Sequence, residues 1–114
     1  MANAFLSETD TAIGTSAASV LTCSASTEIT VIGMSIANIV TSQITVDVQL
    51  DASARTSGAE DSVYLVKGAP IPVGGSLVVV GGDQKVVMEP GDVIKVTSDT
   101  ASSADVVISH LDIT

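Results

Sequence analysis

The chain has 114 residues and a formal net charge of −9, from 13 acidic and 4 basic residues. A chain of this size buries roughly 65% of the surface it exposes when unfolded, which suffices for one two-layer core and leaves no room for a second domain. The acidic balance opposes approach to phosphate backbones, whose binding needs clustered Lys and Arg, so nucleic acid is excluded as an expected partner.

Hydrophobic residues make up 46% of the chain but aromatics only 2%, so Val, Ile, Leu and Ala must fill the core. β-Branched residues favour strands because their stiff χ1 packs well on a pleated surface, and the composition therefore leans toward all-β. Charged residues are 15% of the chain, below the roughly 25% of typical soluble domains, so part of the exterior is Ser, Thr, Ala and Val. Such a surface suits a permanent interface.

Cys23 is the one cysteine; it cannot form an intramolecular disulfide and is read as a small buried thiol. The opening MANAFLSETD lacks a basic region followed by an apolar core, and no apolar run approaches the ~18 residues that span a bilayer. The expectation is a soluble protein without signal peptide or membrane partner.

In chain order, residues 1–16 alternate poorly and carry Ser, Thr, Asp and Gly14, which favour turns and extended arms. They are taken as an extended N-terminal arm, with residues 17–114 as the folded domain. Removing residues 2–14 is expected to leave the fold intact. A short strand at residues 20–23 precedes a longer one at 28–40, whose apolar phase shifts around Gly33 and predicts a bulge. In residues 44–51, Ile44, Val46, Val48 and Leu50 alternate with Thr45, Asp47, Gln49 and Asp51, the pattern of a strand with one buried and one wet face.

A polar loop over 51–61 leads to a strand at 62–67. Residues 68–75 follow, where Pro70 and Pro72 lack N–H donors and predict an exposed extended connector. Strands at 77–80 and 85–88 flank Gly81-Gly82-Asp83-Gln84, which reads as a tight hairpin. The Pro90-Gly91 turn, with Asp92 as its cap, re-enters a strand ending at 97, and the last strand is 104–113. About eight short strands predict a single antiparallel β-sandwich of jelly-roll type.

The stretch MEPGDVIKV resembles turns of cupin-type β-barrels, which implies a metal held by two or three histidines and a carboxylate. Only His110 is present, and the period of two sets it with Asp112 on a face read as solvent-exposed. No Gly-x-Ser-x-Gly elbow supports a Ser-His-Asp triad, nothing local supports a Cys23–His110 dyad, and no catalytic residue is assigned. Glu60 and Asp61 with Asp51 lack the regular calcium-loop spacing, and Gly74-Gly75 and Gly81-Gly82 lack the Gly-Lys-Ser/Thr of a phosphate loop. No cofactor or metal is expected. Phe5 and Tyr64 are the only aromatics, too few for sugar platforms, and Tyr64 is placed in the core or at its margin.

From residue 63 to 114 the chain reads VYLVKGAPIPVGGSLVVVGGDQKVVMEPGDVIKVTSDTASSADVVISHLDIT. Its Ile-Pro-x-Gly loop, Leu-Val-Val-x-Gly-Gly-Asp-Gln-Lys segment, Glu-Pro-Gly-Asp turn, Ser-Asp-Thr-Ala-Ser-Ser segment and terminal Leu-Asp-Ile-Thr resemble small virion structural proteins of tailed bacteriophages, especially of aquatic bacteria. The resemblance implies a capsid decoration or cement protein bound to the major capsid protein or other virion proteins, with a homotrimer as its expected state. A tail or baseplate component and a cupin-like enzyme are the alternatives. Cementing needs apolar contact area and a reaching arm, which makes Phe5 and Leu6 of the arm and Pro70, Ile71, Pro72 and Val73 of the connector the candidate contacts.

Overall fold

The computed structural model describes residues 3–55 and 62–114. Nine strands run in chain order: β1 (Asn3–Ile13), β2 (Ala18–Thr22), β3 (Glu28–Asn38), β4 (Ile44–Asp51), β5 (Val63–Ile71), β6 (Ser76–Val80), β7 (Val86–Met88), β8 (Val93–Ser98) and β9 (Ala104–Ile113). One antiparallel sheet has the order β1-β9-β3-β6 with β7 also on β3, and the second has the order β2-β8-β4-β5. Only the β4–β5 and β6–β7 connections stay within a sheet, the latter along one edge, and the others cross between sheets, giving the jelly-roll sandwich expected from the spacing of strands and turns.

The core between the sheets is aliphatic. Ile36, Ile44, Ile71, Ile94 and Ile108 with Val31, Val46, Val48, Val80, Val96 and Met88 are fully buried. In β4 the alternation is observed as read: Ile44, Val46 and Val48 point inward while Thr45, Asp47 and Gln49 face out. The bulge expected at Gly33 is present as a shift in the β3–β9 register between Val31 and Gly33.

Several local expectations are corrected. Residues 81–84 do not form a hairpin: β6 pairs with Met34–Ala37 of β3 and β7 with Ile29–Val31, so both run in one direction along one edge. The chain loops out at Gly81, closes a turn with the Gln84 N–H donating to the Gly81 carbonyl at 3.2 Å, and rejoins the same edge. β5 runs on through Pro70 to Ile71, because an edge strand tolerates a residue without an N–H.

The segment taken as an arm is mostly β1, paired with β9 from Asn3 to Ile13. Its end is built into the fold: Ile13 is buried, and the Ile13 and Gly14 carbonyls accept the Ser103 and Ser98 N–H groups at 2.9 and 2.8 Å. Deleting residues 2–14 therefore removes a strand and uncovers the edge of β9.

Candidate assembly surface

The two outer faces of the sandwich differ in kind. Opposed residues of an antiparallel pair share a face, so the register assigns the outer face of the first sheet directly. Its rows run Phe5, Leu111, Thr30, Val87; Ser7, Ser109, Gly33; and Thr9, Val107, Ser35, Val78. Among these outward residues there is no ionisable side chain between Glu28 at one end and Asp105 at the other. Phe5, Val78 and Val87 are 76%, 67% and 58% exposed, and Val107 is also exposed. A shallow depression crosses the middle of the face, lined by Gly33, Ser35, Val78, Val107 and Ser109.

The outer face of the second sheet is covered with paired charges. Asp51 meets Lys95 at 2.7 Å and also accepts hydrogen bonds from Ser53 and Ser62. These donors, Lys95 foremost, hold its carboxyl well below the usual carboxylate range. Asp47 accepts from the Gly68 N–H at 2.7 Å and pairs with Lys67 at 3.2 Å. Lys67 Nζ also lies 4.5 Å from the centre of the Tyr64 ring. Tyr64, expected in the core or at its margin, is half exposed and serves as a platform for a cation.

β1 supplies the most exposed part of the first sheet. Leu6 and Glu8 lie opposite His110 and Ile108, whose side chains are buried, yet both remain exposed. From Asn3 to Thr9, β1 thus stands beyond the cover of the second sheet, with water on both of its faces. The expected contacts Phe5 and Leu6 sit here, and Val73 is exposed on the turn closed by the Gly75 N–H and the Pro72 carbonyl at 2.9 Å. Pro70 and Pro72 are exposed as well. Ile71 is not a contact: it is fully buried opposite Ile44, because the period of two that exposes Pro70 turns its neighbour inward.

The turn in MEPGDVIKV is a structural corner. The Asp92 N–H donates to the Glu89 carbonyl at 3.0 Å, with Pro90 at the second position and Gly91 at φ 96° in the third, the requirements of a type II turn. A Cβ on Gly91 would lie 2.2 Å from the Ala54 carbonyl oxygen. Asp92 is fully buried and caps the Glu89 N–H at 3.1 Å, as expected. Its carboxylate also receives Arg55 through Nε at 3.0 Å and Nη2 at 2.6 Å, while Nη1 reaches Glu89 at 3.3 Å. Arg55 has no periodic signature in the sequence, so this fork across the β4–β5 and β7–β8 connections was not legible there.

His110, expected on a wet face, is buried beside Ile108, and its Nδ1 bonds the Asp112 carboxylate. Its Nε2 has no hydrogen-bond partner among the described residues. Cys23 is buried as expected; its thiol donates to the Thr27 carbonyl at 3.0 Å, and burial together with the Asp92 and Asp112 charges pushes it up to about 11. Glu60 and Asp61 lie outside the described residues, and among those described no group of three or more His, Cys, Asp or Glu is placed to hold a metal. No described helix is long and apolar enough to cross a membrane.

Neither a family model nor a curated protein matches the chain. Among solved structures it is similar to a protein of the Bacillus endospore appendages, described as a novel family of disulfide-linked pili. The TM-score is 0.55 at 14% identity, covering 99% of this chain and 87% of that one. At this identity the likeness is one of fold, and it is to a structural protein. It overturns the function expected above, a phage capsid decoration protein, since the fold is matched in a bacterial pilus and not in a virion. Two of the segments that carried the phage resemblance are, in the structure, the looped-out edge at residues 81–84 and the type II turn at 89–92, local solutions that a jelly roll needs for its own connections.

Proposed function

We propose that this chain is a structural, non-enzymatic subunit that assembles with further copies of itself. The observation that carries the reading is the contrast between the faces: the second sheet presents paired charges, whereas the first presents exposed Phe5, Val78, Val87 and Val107 with no ionisable group between them. A chain of net charge −9 repels its own copies, and that repulsion is least where two neutral faces meet. The likeness to an endospore appendage protein supplies a precedent for a jelly roll of this kind in a fibre. That protein's pili are disulfide-linked; here Cys23 is buried and engaged by the Thr27 carbonyl, so the contacts proposed for this chain are non-covalent.

Sedimentation velocity over a concentration series, with electron microscopy of the concentrated sample, tests the reading. The expected result is association that grows with concentration and weakens when Val78, Val87 and Val107 are together replaced by Ser. A species that remains monomeric throughout would overturn it.

A further inference from the structure

A sandwich of two open sheets has four edges, and three are blunted here. β2 is five residues long and shifts register between Ser19 and Leu21. The β6–β7 edge is interrupted by the loop at residues 81–85. β5 carries Lys67, Gly68 at φ 65° and Pro70, with two register shifts against β4. Bulges, prolines, short lengths and charged side chains are among the devices that keep an edge from pairing with another chain.

From Asn3 to Ser7 β1 carries none of those devices, and its charges, Glu8 and Asp10, come only from its midpoint onward. Its register with β9 is unbroken from Asn3 to Asp10, and this stretch contains neither Pro nor Gly. Regular pairing stops only at Thr11 and Ala12, where Asp105 gathers the Thr11 hydroxyl at 2.6 Å and the Ala12 N–H at 3.1 Å. A straight strand, wet on both faces, therefore offers its outer row of backbone groups for pairing.

Resting on the proposed self-assembly, we infer that this edge pairs antiparallel with β1 of a second copy, about a two-fold axis through Leu6. An axis perpendicular to the sheet keeps each face continuous, so opposed residues have the same parity. Centring on Glu8 sets Glu8 against Glu8, and centring on Ser7 makes the two Glu8 carboxylates diagonal neighbours. Centring on Leu6 opposes Leu6 to Leu6, Phe5 to Ser7, Ala4 to Glu8 and Asn3 to Thr9. The two Glu8 side chains then lie about 13 Å apart along the strand, beyond a Debye length of roughly 8–10 Å. Phe5 meets Phe5 of the second copy on the diagonal, a reach that aromatic side chains span.

The register thus gives an apolar partner to each large exposed hydrophobic residue of β1, Phe5 at 76% and Leu6 at 49% exposed. It leaves the carboxylates Glu8 and Asp10 toward the ends of the pairing, on the face they share with the buried Ile108 and Val106 of β9. These acids exclude the registers centred on Glu8 and Ser7, and centring on Phe5 would shorten the pairing to Asn3–Ser7. The pairing joins the first sheets of two subunits at their β1 edges into one continuous sheet, an isologous contact that closes on itself.

Charge pairs at the axis test this. Leu6→Lys and Leu6→Glu each change an exposed side chain of the single subunit, and circular dichroism checks that both variants remain folded. In sedimentation equilibrium the wild type should form a dimer, each variant alone should lose at least tenfold in dimer affinity, and an equimolar mixture should recover it. Wild-type association that is unchanged in both variants overturns the edge pairing and leaves self-assembly through another surface standing. A wild type that stays monomeric overturns both readings.

Discussion

The outer faces of the two sheets share one fold and one kind of strand, yet they solve the problem of an exposed sheet differently. On the second sheet each outward acid of β4 has a cation: Lys67 for Asp47 and Lys95 for Asp51. On the first sheet the outward positions between Glu28 and Asp105 are Ser, Thr, Gly, Leu, Val and Phe. Three of the chain's 4 basic residues, Arg55, Lys67 and Lys95, are committed to carboxylates on or around the second sheet. Lys85 is occupied with the Gly82 carbonyl in its own loop at 2.7 Å. The few cations thus neutralise one face and one corner, and the other face is made neutral by composition. Charge is absent from the middle of one outer face and balanced in pairs on the other.

On this division, substitutions near the second sheet should move stability and leave association alone, while those on the first should do the reverse. The largest effect is expected at Arg55→Met, which leaves Asp92 buried without its fork; removing one partner of a buried pair costs about 3–5 kcal/mol, read as a lower midpoint in urea unfolding. Gly91→Ala should cost at least about 1–3 kcal/mol for its backbone conformation alone, with a further penalty from the contact at the Ala54 carbonyl. Neither change should alter the association of molecules that remain folded.

Asp51→Asn should cost about 0.2–1 kcal/mol, the range of an exposed ion pair. The sign of its pH dependence follows from the lowered carboxyl. The stabilisation is fully present above the unfolded value of 3.8 and is lost as pH falls from there through the still lower folded value. Unfolding midpoints of wild type and variant should therefore differ at pH 7 and converge under strong acid. The smallest stability effect, within about 0.5 kcal/mol, is expected for Val78→Ser, whose side chain is mostly in water. That same change should weaken association, which sharpens the contrast between the faces.

The architecture was legible because alternation in residues 44–51 and turn chemistry at Pro90-Gly91 are local signals, and the structure places both as read. What escaped depends on tertiary context. β1 alternates too weakly to be seen as a strand because both of its faces are wet, so no buried row marks it. The Gly-Gly-Asp-Gln segment allows a hairpin as readily as an outward loop, and the presence of β3 alongside decides between them. His110 and Ile71 face inward because of the phase their strands take against their neighbours. Of the expected contacts, Phe5 and Leu6 fall on the neutral sheet and its open edge, whereas Pro70, Pro72 and Val73 lie on or beside the blunted edge of the other.

The most direct test of the central claim, that copies meet through the first sheet, is amide hydrogen exchange at low and high protein concentration, read peptide by peptide. The account predicts that protection at high concentration rises in residues 3–10 and stays unchanged in residues 44–51 and 63–71. Protection gained on β4 and β5 instead, or no concentration dependence anywhere, would contradict it.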